Sequence, residues 1–339
     1  MGSIKILDVT LRDGGIVNNF EFGKNNIKSV INAIENAGVK YIELGYLEKT
    51  KGTTDGDRTQ FKDEKVIYNT ILNKKEPGAK YLAMCDYSKF DVEALEERKD
   101  NSVDGIRFAF HKRNFNEALD LYQAIIDKGY DVYMQPMVTL HYTEAELEEL
   151  IARANKLKIK GIYFVDTFGQ MMEDDIIRLT KFFDERLRPD IALGFHAHNN
   201  IQMAFANAVA FINIPTERDK MLDSSILGMG RGAGNLNTEL ILSYLNRTRG
   251  TSYNLKPVLH IMDTIINPIR REYSWGYSPE YFLSAVNDTS PIYSKHYTEI
   301  HEMPLTDVDD ILKNVEGEKR ISFDKKYAED IFVNYENNK

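Results

Sequence analysis

The stretch "TLRDGG" sets an arginine and a carboxylate, Arg12 and Asp13, side by side after an apolar run that begins at Ile4, and Gly14 and Gly15 follow at once. A lone Arg–Asp neighbour pair is often no more than a surface ion pair. Two glycines behind it change that, because they let a ligand or a turn come close to the backbone. In "GFHAHNN", His196 and His198 are separated only by Ala197. Along a strand such residues point to the same side, where two imidazoles can grip one metal ion; a hydrogen-bonded core histidine is the plainer alternative. In "LGMGRGAGNLNTE", Gly230, Gly232 and Gly234 form either a flexible turn or a phosphate loop of the kind that follows late barrel strands. Asn235 closes it and can lend an amide oxygen to a hard cation. Glu43 ends the apolar run of "YIELGY" and can hold a neighbouring guanidinium, with Arg12 the natural candidate. Asp166 ends "FVDTFG" in the same way and fits a supporting polar role.

Asp13, His196, His198 and Asn235 together make a mixed oxygen and nitrogen ligand set. It contains no thiolate, so a closed structural zinc site is not expected. Carboxylate, imidazole and amide oxygen suit Mn²⁺ or Mg²⁺, with Co²⁺ or Zn²⁺ tolerated, and leave positions open for substrate. A 2-oxo acid fits such a site, since its carboxylate and ketone oxygens can chelate one ion together. The metal then serves as a Lewis acid, and Arg12 stabilises the enolate that arises when a C–C bond breaks or forms.

These residues need a scaffold that brings strand ends together. Strands are predicted over Ile4–Val9, Lys40–Leu44, Lys80–Met84, Gly105–Phe110, Asp131–Met137, Gly161–Val165, Ile191–His196 and Met221–Leu227. Amphipathic stretches lie between them at Asn25–Ala37, Phe115–Lys128, Thr143–Leu157, Met172–Leu187 and Ile201–Phe211, with apolar residues three and four apart. Eight strands mostly followed by helices predict an α/β fold, a TIM (β/α)8 barrel whose site lies at the C-terminal ends of the strands. The polar stretch Thr50–Glu64 is expected as a long loop. Alternation stops near Asn254, so a barrel domain over 1–255 and a mainly helical C-terminal extension over 256–339, with a charged tail that frays, are expected. The chain has 339 residues, 42% of them hydrophobic, and a net charge of -9, which speaks against nucleic-acid and anionic-membrane surfaces. Cys85 is the single cysteine and no apolar run reaches membrane-spanning length, so a cytoplasmic location is expected.

The motifs "TLRDGG", "IELG", "GFHAHNN" and "GMGRGAGN", in that order over roughly the first 240 residues, resemble the DRE-TIM metallolyase superfamily. Hydroxymethylglutaryl-CoA lyase, the isopropylmalate and homocitrate synthases and the 4-hydroxy-2-oxovalerate aldolases belong to it, and the histidine segment and glycine loop resemble the aldolases most. The resemblance implies a divalent-metal-dependent aldolase or lyase acting next to a 2-oxo acid of the pyruvate type. It makes Asp13, His196 and His198 the metal ligands with Asn235 as a fourth, Arg12 the enolate stabiliser and Glu43 the glutamate of the superfamily's name. Tyr277 and Tyr281, in "GYSPEYFL", resemble a tyrosine-bearing stretch that shapes the aldolase site. The expected catalytic residues are therefore Arg12, Glu43, His141 and Tyr281, and the expected substrate contacts are Arg12, Gly230, Gly232, Gly234 and Tyr277.

Two positions depart from the pattern. The aldolases carry a catalytic histidine three residues after the metal aspartate, where this chain has Ile16. The CoA lyases carry a cysteine in the glycine loop, where this chain has Gly232. A metal-bound hydroxide is one candidate for the missing acid/base; a histidine that follows a predicted strand, His141 ahead of His111, is the other. An acyl-CoA-dependent Claisen condensing or hydroxymethylglutaryl-CoA-lyase-like enzyme and a repurposed, non-catalytic metal-binding barrel are the alternatives; Arg12, which binds no metal itself, is hard to explain in the latter. The expected partners are a small-molecule 2-oxo acid and, as an open option, further copies of the chain in a homo-oligomer.

Overall fold

All eight predicted strands close into one parallel barrel in a computed structural model that describes residues 2–72 and 74–339. In chain order the strands are β1 (Ile4–Asp8), β2 (Tyr41–Leu47), β3 (Gln60–Phe61), β4 (Lys80–Asp86), β5 (Gly105–Phe110), β6 (Asp131–Pro136), β7 (Gly161–Asp166), β8 (Ala192–Ala197) and β9 (Lys220–Ser224). Each barrel strand pairs in parallel with the next, and β1 closes the ring by pairing with both β2 and β9. The two-residue β3 stands outside the ring on the edge of β2, so the polar Thr50–Glu64 stretch is not a plain loop.

Helices α1 (Lys24–Asn36), α2 (Glu64–Ile67), α3 (Phe115–Asp127), α4 (Glu144–Lys156), α5 (Glu173–Arg186), α6 (Ala204–Asn213) and α7 (Thr238–Arg249) wrap the barrel. The unit after β4 lacks an α-helix and has only a 3₁₀ turn, Val92–Ala94. Helix α4 begins where its sequence says it should: Thr143 and Glu146 form a reciprocal capping box. The outward strand residues, such as Ile42, Phe108, Phe164 and Phe195, join the helix faces in one large core. Inward residues Leu7, Leu82, Tyr133, Tyr163 and Met221 form a separate plug inside the ring, as the period-two alternation of a strand requires.

Beyond the barrel the chain continues as α8 (Leu255–Ile261), α9 (Asn267–Glu272), α10 (Pro279–Val286), α11 (Pro291–Lys295), α12 (Leu305–Lys313) and α13 (Lys325–Asn337). Val258, Ile261, Ile266 and Trp275 still pack on the barrel core. A second core, built from Leu283, Tyr293, Tyr297, Val308, Ile311 and Ala328, begins after them. The charged tail is helical: α13 is capped by Asp324 and buries Ala328 in that second core, so apolar anchoring overrides the fraying expected from its charge. No helix among the described residues is long and apolar enough to cross a membrane.

Candidate active site and metal centre

The plug inside the barrel is capped by a layer of charge. Arg107, in the middle of the apolar strand β5, is fully buried and reaches two carboxylates at once. Its Nη1 donates to Glu43 Oε2 at 2.8 Å, and its Nη2 donates to Asp223. Its guanidinium also lies 4.6 Å from the ring centre of Tyr163. Tyr163 can lie there because Gly194 faces it on β8, where a Cβ would collide with the tyrosine ring. Burial opposes the charge on Arg107, but Asp223 and Glu43 outweigh it and raise its pKa. Removing one partner of a buried ion pair typically costs about 3–5 kcal/mol, because the other charge is left uncompensated. Arg107→Met is therefore expected to lower unfolding free energy by about that amount, read by denaturant titration.

Arg12 meets the same glutamate from the other side. Its Nε donates to Glu43 Oε2 at 2.6 Å and its Nη1 to Asp13 Oδ1. Glu43 thus holds the Arg12 guanidinium as expected from sequence, and the same guanidinium bridges to a second carboxylate, Asp13. Arg12 and Asp13 are both buried, in the turn that follows β1, whereas Glu43 lies within β2. That turn is anchored through Asp8, which accepts from Thr10 N at 3.0 Å and Thr238 Oγ1 at 2.9 Å, while Thr10 Oγ1 accepts from Ile226 N at 2.8 Å. The ends of β1 and β9 and the start of α7 are thus tied together.

Asp13, His196 and His198 converge, with their ligand atoms within 4.8 Å of one another and all three buried. The orientation of each imidazole is set by an oxygen on its far side. His196 Nδ1 lies 2.8 Å from Asp223 Oδ2, and His198 Nδ1 lies 2.9 Å from the backbone oxygen of Asp166. A carboxylate and a carbonyl can only accept, so in the neutral rings both Nδ1 atoms carry the proton and both Nε2 atoms present lone pairs. His198 Nε2 is buried without a hydrogen-bond partner, 3.7 Å from Asp13 Oδ2. Two acceptors facing each other with no donor between them fit a cation. Burial depresses the His196 pKa to about 4, which keeps it a neutral ligand. Burial alone would raise the Asp13 carboxyl, but the Arg12 guanidinium beside it outweighs that and holds it well below the usual range. Burial pushes Asp166 up to about 7 against the two backbone amides, of Gln170 and Met171, that it accepts.

The glycine loop reaches the cluster through Asn235. Its Nδ2 donates to Asp13 Oδ2 at 2.9 Å and to the Met229 oxygen at 3.1 Å, so its amide nitrogen rather than its oxygen faces the carboxylate. Asn235 thus positions Asp13 in this arrangement, and its Oδ1, the ligand atom expected from sequence, is buried without a hydrogen-bond partner. Gly230 packs so tightly here that a Cβ would strike the Asn235 amide. Gly232 and Gly234 both have positive φ, 71° and 83°, and a Cβ on Gly234 would collide with the Gly228 oxygen.

A cavity of about 300 Å³ opens over Arg12, Asp13, His196 and His198, bounded further by Ile16, Tyr46, Gln135 and Arg231. The other sequence-predicted residues lie away from it. His141 points to the C-terminal region, its Nε2 3.0 Å from Asp288 Oδ1 and its ring edge-on to Phe168. Its backbone oxygen accepts from Lys112. His111 faces the Ile321 oxygen at 3.0 Å. Tyr281 packs against Gly232, where a Cβ would lie 3.4 Å from its ring, and Tyr277 is exposed beside Trp275 on the outer side of the loop. Arg107 and Asp223 went unnoticed in the sequence. The signal for Arg107 was a charge set into the otherwise apolar strand "GIRFAF", whereas Asp223 sits in the mixed stretch "KMLDSS" and had none as clear.

Residues 3–265 match the HMGL-like family. The chain is 27% identical over 245 residues to an oxaloacetate decarboxylase of Mycobacterium tuberculosis, covering 71% of this chain and 70% of that protein. It is 25% identical over 268 residues to a 4-hydroxy-2-oxovalerate aldolase of Geobacillus genomosp. 3, covering 79% and 78%. Among solved structures it resembles the N-terminal domain of a candidate aldolase from Bacteroides vulgatus, with a TM-score of 0.74 and 27% identity, covering 88% of this chain and all of that one. A match over most of the barrel, with the buried acid–histidine cluster at its mouth, places this chain in the HMGL-like family.

Proposed function

We propose that the protein is a divalent-metal-dependent carbon–carbon lyase that makes or breaks a bond next to a 2-oxo acid, through a pyruvate-type enolate. The observation that carries this reading is one cavity wall on which Arg12 sits directly beside the convergent Asp13, His196 and His198. Names found among its relatives, an oxaloacetate decarboxylase and a 4-hydroxy-2-oxovalerate aldolase, agree with a carbanion formed next to a ketone.

Asp13 and the Nε2 atoms of His196 and His198 would hold the ion, Mn²⁺ or Mg²⁺ first and Co²⁺ or Zn²⁺ next. When bound, the ion supplies Lewis-acid polarisation of the substrate's carbonyl. The chain's own groups do the rest. Asp223 and the Asp166 carbonyl fix the two imidazole planes, and Asn235 fixes the carboxylate. Glu43 aims Arg12, whose guanidinium meets the negative charge that develops on the enolate oxygen. Gly230 and Gly234 allow the loop to pack closely on Asn235 and Gly228, with Tyr281 against Gly232, and Arg231 from the same loop reaches the cavity. Release of pyruvate from 4-hydroxy-2-oxo acids and from oxaloacetate, followed with Mn²⁺ and with chelator, tests the reading. Metal-dependent pyruvate release from either class is expected; no chelator-sensitive release from both would overturn it.

The proton transfer is the point at which this chain differs. Ile16 lines the cavity and cannot titrate, and His141 is turned toward Asp288. Ile16→His is expected to raise kcat for simple 4-hydroxy-2-oxo acids, by about 10²-fold if the new imidazole reaches the lower range of a well-placed base. The gain belongs in kcat rather than KM, because a base acts in the transition state. Steady-state kinetics of the variant decide it.

A further inference from the structure

We propose that His296, His301 and Glu329 form a second divalent-cation site, of the two-histidine, one-carboxylate kind, which pins the C-terminal helix α13 to the chain that precedes α12. Nothing in the barrel chemistry uses these residues, and none of them lines the barrel cavity. The three ligand atoms lie within 4.8 Å of one another. His296 Nε2 is 3.0 Å from one oxygen of Glu329 and His301 Nε2 is 3.2 Å from the other.

The local backbone is irregular in a way that serves this geometry. His296–Ile300 is a π-helical turn that continues α11. Hydrogen bonding in a π-helix runs from i to i+5, and such turns are rare and frequent at functional sites. Here it stacks His296 and His301 one turn apart, with their ring centres 5.0 Å from each other. An ordinary α-helix would send residues five apart to different faces. The rings are also held from outside: His301 stacks on Phe332 at 3.8 Å, and His296 packs against Tyr297 and Phe323.

The simpler account is a carboxylate that accepts two imidazole N–H groups. It suits His296, which meets Glu329 with hydrogen-bond geometry. It does not suit His301, whose buried Nε2 faces the carboxylate without making a hydrogen bond. His141 shows the same orphaned Nε2 against Asp288 without a third ligand; at His301, as in the barrel site, a second imidazole converges on the same acidic group. Nitrogen and carboxylate ligands bind tetrahedral Zn²⁺ at about 2.0–2.2 Å, which sets them roughly 3.3–3.6 Å from one another; the two nitrogen–oxygen separations are already close to that. Two imidazoles with one carboxylate suit Zn²⁺ or Co²⁺ better than Mg²⁺.

The test is titration of the full-length protein with Co²⁺ and Zn²⁺, read by visible absorption and by thermal unfolding. Two equivalents per chain are expected for the wild type. His198→Ala should remove one, and Glu329→Gln or His301→Ala the other, weakening that equivalent by at least about 100-fold, which is the upper range for disturbing even an outer partner of a metal ligand. In the His198→Ala background, Zn²⁺ should still raise Tm, and adding Glu329→Gln should abolish the rise. Glu329→Gln keeps the side-chain shape, so it remains informative if His301→Ala does not fold. If the His198→Ala protein takes up no Zn²⁺, or takes it up equally well with and without Glu329→Gln, the second site does not exist. Failure of the barrel site would show separately, as an equivalent insensitive to His198→Ala.

Discussion

Arg12→Lys is expected to lower turnover by about 10²–10³-fold, the usual cost of losing one preorganised donor to a developing oxyanion, while folding and metal content stay intact. A guanidinium can hold Glu43 through Nε and Asp13 through Nη1 and still present its remaining N–H groups to substrate. An ammonium on a flexible stem can satisfy one of the carboxylates and leaves the plane undefined. Folding should survive because the positive charge is retained and because Glu43 keeps its bond from Arg107. Circular dichroism, metal analysis and kcat on the same preparation separate these effects. An Arg12→Lys enzyme with near wild-type turnover would remove Arg12 from the chemistry.

The arrangement around Arg12 also shows what the sequence could and could not reveal. The strands were legible because their apolar runs are short, bounded and regularly spaced, and the two histidines were legible because a single alanine keeps them on one side of β8. The glycine loop was legible from its spacing, though not what it holds. The amide of Asn235 turns its nitrogen to Asp13 because the Met229 carbonyl and the carboxylate both need a donor, and that competition is set by the fold. Asp223 was missed because it is paired across the barrel with partners on β5 and β8 that are 116 and 27 residues distant. His141 was drawn to the site by its place after a strand. Its ring is instead taken by Asp288, a contact made only because the C-terminal region folds back on this side of the barrel. The end of β9 at Ser224, short of the predicted Leu227, has a local cause. Leu227 has φ of 56°, which no strand accommodates.

The second large effect concerns the ligands themselves. Each of Asp13, His196 and His198 is buried and oriented by its own supporting contact, so none can be replaced by a neighbour. Asp13→Asn, His196→Ala and His198→Ala are each expected to reduce chelator-sensitive turnover to background. Truncating His196 should also destabilise the fold, since it strips Asp223 of one of its two partners and leaves buried charge less compensated. His198→Ala is the cleaner variant, because its Nδ1 partner is a backbone carbonyl that carries no charge.

The most direct test is a Mn²⁺ titration of the Glu329→Gln protein, in which only the barrel ligands remain, with and without His198→Ala. The predicted result is one tightly bound equivalent per chain, lost when His198 is truncated while the circular dichroism spectrum is unchanged. A bound equivalent that survives His198→Ala, or no binding to begin with, would contradict the assignment of Asp13, His196 and His198 as the metal centre.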